Sequence, residues 1–146
     1  MNKIELERKT GYFGFEVKDE NGHVLHTDSS IENGGGNDGF RPMQLMLAGL
    51  GACSAIDMVS ILKKQRQTVD HFKIKIAGER EQGKIPSLWK SVAITFELYG
   101  NVDAVKAKKA ADLSMEKHCS VAETLRRGGT ELQWKVKVIN TENVLA

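Results

Sequence analysis

Several things are scarce or missing in this chain. It has only two cysteines, Cys53 and Cys119, too few for a disulfide scaffold. No block of like charge occurs. The net charge is +2 and the basic residues are scattered, which argues against a nucleic-acid partner or an anionic membrane surface. The segment Met1-Asn2-Lys3-Ile4-Glu5 carries no apolar run, so no signal peptide is expected. A cytoplasmic location follows, in which two cysteines read as free thiols or a transient redox pair. The most apolar stretch, residues 43–62, is broken by Gln44, Ser54, Asp57 and Ser60. It reads as a buried core helix rather than a membrane span. No Gly-x-Ser-x-Gly elbow and no Gly-Lys-Ser/Thr are found, which excludes the corresponding hydrolases and P-loop proteins.

What is present suits one globular domain over residues 1–146. Hydrophobic residues make up 40% and charged residues 27%. Ile4 and Leu6 alternate with charged neighbours, Phe13, Phe15 and Val17 repeat at period two, and Asn21-Gly22 marks a hairpin. Strands over 3–9, 12–19 and 23–28 therefore form an antiparallel meander. Residues 29–41 are a polar, glycine-rich loop. Pro42 opens a long helix reaching about residue 66. Gly49 and Gly51 cost that helix about 1 kcal/mol each against alanine, and tight packing against a second helix is the expected offset. Strands resume around Phe72, Ile74 and Ile76, and again at Val92, Ile94, Phe96 and Leu98. Asp103 caps a helix. A shorter helix runs from about Ser120 to Arg127 and stops at Gly128-Gly129. A last strand carries Leu132, Trp134, Val136 and Val138. Strands are grouped rather than strictly alternating with helices, so the class is α+β.

Few residues suggest chemistry. Gly34-Gly35-Gly36-Asn37-Asp38-Gly39 satisfies G-x-G-x-x-G formally, but it lacks a βαβ context and reads as a flexible loop. His23 and His26 have no Cys or carboxylate set at ligand spacing, and His71 and His118 are isolated. No metal and no cofactor is expected. Cys119 precedes Ser120-Val121-Ala122-Glu123, which reads as a capping box. Amides and the dipole at a helix N-terminus favour a thiolate there, and the bland alternative is a small residue filling a helix corner. Cys53 lies mid-helix with Asp57 one turn on. It reads as a small buried hydrophobe, and a close carboxylate would oppose its ionisation.

Residues 41–53, Arg-Pro-Met-Gln-Leu-Met-Leu-Ala-Gly-Leu-Gly-Ala-Cys, resemble the helix motif of the OsmC/Ohr family: Pro-Glu-x-Leu, a small-residue stretch, then Ala-Cys. The run Cys119-Ser120-Val121-Ala122-Glu123-Thr124-Leu125 resembles its second motif, Cys-Pro-Val/Ile-x-x-x-Leu. Residues 55–64 look most like the OsmC-like subgroup. The resemblance implies antiparallel sheets around a long central helix in an intertwined homodimer, with sites at the subunit interface. It implies a thiol-dependent hydroperoxide-reducing redox protein, with Cys53 attacking the peroxide O–O bond and Cys119 resolving the sulfenic acid. A dithiol reductant restores the pair. The family glutamate after the motif proline is Met43 here, and Ser120 replaces the second motif's proline. Of the arginines before the long helix, Arg8 and Arg41, Arg41 is taken as the stabilising cation. Two other readings stand beside the peroxidase: a non-enzymatic dimer holding an apolar small ligand in the interface pocket, and a thiol redox sensor.

Overall fold

The computed structural model describes residues 1–140, so the last six residues of the expected 1–146 domain lie outside the described residues. The chain falls into two compact units, Met1–Met46 and Leu47 onward. The first is an antiparallel meander of β1 (Ile4–Thr10), β2 (Gly14–Asp19) and β3 (Val24–Thr27). Its Asn21-Gly22 turn closes as expected. Gly22 takes a φ of 84°, and the Asp19 carboxylate accepts from the amides of Asn21 and His23.

The glycine-rich loop is more organised than its composition suggests. One 3-10 turn, Ile31–Asn33, interrupts it. The Asp28 side chain, 4% exposed, accepts from the amides of Ser29, Gly36 and Asp38 at 2.7, 3.2 and 3.2 Å. A carboxylate thus takes up backbone donors that the loop would otherwise leave to solvent. This corrects the expectation of a flexible loop.

Helix α1 (Pro42–Lys64) starts where the proline indicates. Gln44 Oε1 accepts from the Arg41 amide at 2.9 Å, the reciprocal half of a capping box. At its far end Arg66 sits at φ 59°, and the Gln67 and Arg66 amides bond to Leu62 and Lys63 carbonyls. That pattern is a Schellman motif with arginine where glycine is usual. By length and composition α1 could cross a membrane, with a mean hydropathy of 1.9 over its most apolar window. The buried-helix expectation needs correction, because only 28% of that window is buried. Leu50, Ser54, Met58 and Leu62 form the buried ridge, while Ile56 and Val59 are 69% and 48% exposed.

The second unit builds a three-stranded sheet in the order β4 (His71–Arg80), β5 (Trp89–Tyr99), β6 (Glu131–Ile139). Its central strand β5 supplies the core. Val92, Ile94, Phe96 and Leu98 are each 1% exposed or less, on the face the alternation indicates. Glu97, on the other face, is held by Lys75 at 2.9 Å and by the Tyr99 hydroxyl at 3.1 Å. β4 pairs antiparallel with β5 as expected, but β6 pairs with β5 in parallel, so this sheet is mixed. The parallel return requires the crossover through α2 (Ala104–Leu113) and α3 (Ser120–Arg127). The Asp103 side chain caps α2 by accepting from the Lys106 amide at 2.9 Å. Of the two helix glycines, only Gly51 shows the close approach that would offset its cost. A Cβ on Gly51 would stand 2.8 Å from Ile76 Cδ1, so a strand approaches there rather than a helix. A Cβ on Gly49 would meet only Val121 Cγ2 of α3, at 4.0 Å.

Candidate functional site

The two cysteines reach one place by different routes. Cys53 projects from the fourth turn of α1, and Asp57, four residues on, shares its face. Cys119 comes from the joint between α2 and α3. Between those helices Ser114–His118 forms a π-helical turn, closed by the Cys119 amide donating to Ser114 O at 2.8 Å. Such wide turns are rare and cluster at functional sites. Arg126 of α3 braces the turn, donating through Nη2 to Met115 O at 2.7 Å and through Nη1 to Glu123 Oε2 at 3.0 Å.

In this arrangement the Cys53 and Cys119 sulfurs and a carboxylate oxygen of Asp57 lie within 4.8 Å of one another. Cys119 is buried, 3% exposed, and Cys53 is half-buried. Both are free thiols. Asp57 Oδ2 accepts from the Ser114 hydroxyl at 2.9 Å, which ties α1 to the π turn.

The expected capping box is not what forms. Cys119 is itself the cap of α3, its sulfur accepting from the Ala122 amide at 3.4 Å. Glu123 turns instead to Arg126 and Arg127, each at 3.0 Å. Nor is Cys119 acidic. Burial pushes its thiol up to about 11, the neighbouring Cys53 adds to the rise, and the Ala122 and Val121 amides oppose it only in part. Desolvation therefore outweighs the helix end, correcting the expectation of a thiolate at that position.

Arg41 belongs to the first unit. Its guanidinium donates to Gly39 O at 3.0 Å and to Asn37 Oδ1, so its own loop holds it. His23 lies against Asp19 at 2.7 Å and His26 lies 3.8 Å from Glu16, carboxylate contacts of ordinary strand and turn residues. Sequence reasoning passed over Ser114 and Arg126. Nothing local marks either, because their partners Asp57 and Met115 are defined only by the packed helices.

The sequence model of the family described as OsmC-like protein matches residues 35–135. Protein YhfA of Escherichia coli strain K12 is 42% identical over 97 residues, covering 63% of this chain and 71% of that protein. The crystal structure of a hypothetical protein from Aquifex aeolicus VF5 superposes with a TM-score of 0.78 at 31% identity, over 94% of this chain and 97% of the other. An organic hydroperoxide resistance protein OsmC from Legionella pneumophila superposes with a TM-score of 0.73, over 94% and 97% of the two chains. At 18% identity that last similarity establishes a common fold.

Proposed function

Because the chain belongs to the OsmC-like protein family, we propose that it is a thiol-dependent redox protein that reduces hydroperoxides, organic ones foremost, in the cytoplasm. One observation carries this reading: a half-buried thiol and a buried thiol lie within 4.8 Å of one another, on separate helices. The accessible sulfur, Cys53, is the nucleophile. It attacks the distal peroxide oxygen, breaking the O–O bond. The alcohol leaves with a proton, and Cys53 becomes a sulfenic acid. The Cys119 sulfur then displaces hydroxide from that sulfenic acid, forming the Cys53–Cys119 disulfide and water. A dithiol reductant returns both thiols.

The assignment of roles follows from ionisation. A thiol pushed up to about 11 is a poor first nucleophile at neutral pH. It serves as a resolver, because the sulfenic acid is formed against it at close range. Arg41 is the cation we assign to the peroxide step, and a second copy of the chain is the partner we assign to the apolar face of α1. The hydroperoxide resistance named for the Legionella relative is the chemistry this assignment extends to the present chain.

A second reading is favoured by the raised Cys119 thiol together with Met43, which stands where the family glutamate orients the arginine. In it the dimer binds an apolar small molecule and its thiols are only packed. Mass spectrometry after mild cumene hydroperoxide treatment separates the two. The expected product is an intramolecular Cys53–Cys119 crosslink, with Cys53→Ser abolishing peroxide-driven thiol loss. Two thiols intact after oxidant treatment would leave the binding reading in possession.

A further inference from the structure

The sequence shows no metal-ligand set around its histidines, yet the fold assembles one elsewhere. Two sulfurs and a carboxylate oxygen form a triangle with no side longer than 4.8 Å. We propose that Cys53, Asp57 and Cys119 form a site for a thiophilic divalent cation of the zinc class, a function separate from peroxide chemistry that uses the reduced form of the same pair.

The geometry fits such an ion with small adjustment. An ion seated just off the plane of a triangle with 4.8 Å sides lies about 2.8 Å or slightly more from each corner, against Zn–S of about 2.3 Å and Zn–O of about 2.0–2.2 Å. Each ligand atom moves inward by about half an ångström or a little more. Two of the three ligands stand four residues apart on one face of a long helix, a spacing that presents both to a common point. The third is carried by Cys119, the residue that caps α3. Ser114 donates to Asp57 Oδ2 at 2.9 Å, the kind of outer hydrogen bond that orients a ligating carboxylate.

The donor set also selects among ions. Two thiolates disfavour magnesium and calcium, which take oxygen ligands, and two sulfurs with one oxygen suit zinc. Three protein ligands leave a fourth tetrahedral position for water. Binding is balanced by proton release: the cation replaces the protons of both thiols, which pass to solvent, and Asp57 enters as carboxylate. A coordinated thiol is deprotonated outright by the ion's charge, so burial of Cys119 does not bar it. Once bound, the cation holds both sulfur lone pairs, so the site carries either the ion or the disulfide.

The test is an anaerobic titration of the reduced full-length protein, two free thiols counted beforehand, with Co2+ as probe and Zn2+ as competitor. One equivalent of Co2+ is expected to give a thiolate-to-cobalt charge-transfer band in the near ultraviolet that one equivalent of Zn2+ removes. Cys119→Ser and Cys53→Ser are each expected to halve the band, and Asp57→Asn to weaken affinity at least tenfold while keeping it. Ser114→Ala should weaken affinity severalfold, and it checks the carboxylate's role should Asp57→Asn fold poorly. No charge-transfer band at tenfold excess Co2+, or a full band in Cys119→Ser, overturns the proposal. The redox reading is judged apart from it, by peroxide consumption of the metal-free protein.

Discussion

At the scale of single residues, Cys119 illustrates a contest between a helix end and burial. Its sulfur caps α3 and accepts an amide hydrogen bond, both of which favour the thiolate, but at 3% exposure the desolvation of that anion is the larger effect. With the thiol pushed up to about 11, its alkylation by iodoacetamide should rise about tenfold per pH unit between pH 7 and 10. Site-resolved mass spectrometry of the unmodified chain measures this, and a Cys119 rate already flat above pH 8 would contradict it. The folded state holds this proton more tightly than the unfolded chain. The resulting stability is therefore complete below the ordinary cysteine range and is lost as pH climbs towards 11. Asp28 carries the opposite sign. Burial pushes its carboxyl up, but the amides of Asp38, Ser29 and Gly36 and the charge of Arg41 outweigh that and hold it below the usual aspartate value. Its contribution is present above that value and disappears as pH falls through the lowered one. Thermal melts of Asp28→Asn should accordingly lie well below those of the parent at pH 7 and approach them as pH falls below the usual aspartate range.

At the scale of elements, the ends of α1 are informative. Arg66 occupies a left-handed conformation that glycine adopts without strain. Arg66→Gly should stabilise the fold by about 0.5–1 kcal/mol, read by chemical denaturation. The π turn is sensitive in the other direction. Arg126→Ala leaves Met115 O without its charged donor and should cost about 1–2 kcal/mol. The elements themselves were largely legible. Pro42 marks the start of α1, period-two runs mark β2, β4, β5 and β6, Asp103 caps α2 and the glycine pair ends α3. What was not legible depends on partners distant in the chain. The Ser-x-x-Glu pattern after Cys119 misled because Glu123 had two arginines within reach and a sulfur could act as the cap. No side chain advertises a π turn, and the Ser114–Asp57 bond joins residues 57 apart. The parallel pairing of β5 with β6 was equally silent, since alternation reports which face is buried and not which way a neighbour runs.

At the scale of the whole molecule, the outward face of α1 is the one the proposed pairing would cover. Ile56 and Val59, 69% and 48% exposed, lie with exposed Ala52 along one side of the helix. On the proposed pairing, a second copy covers that side. Sedimentation equilibrium should then return twice the chain mass of 16.2 kDa, and Ile56→Lys should shift the protein to single chains. Single chains for the parent at micromolar concentration would count against the pairing.

The parallel return of β6 also sets an order of events during synthesis. Helix α2, which leads to Cys119, is tied to that strand by Trp134 Nε1 donating to Asp112 Oδ1 at 2.8 Å, and Thr130, just ahead of the strand, donates through Oγ1 to Trp89 O of β5 at 2.8 Å. A nascent chain therefore displays Cys53 to the surrounding thiol pool well before the strand that seats its counterpart has left the ribosome. Formation of β6 is thus the step that completes the seat of Cys119, after the helix bearing Cys53 has already been made.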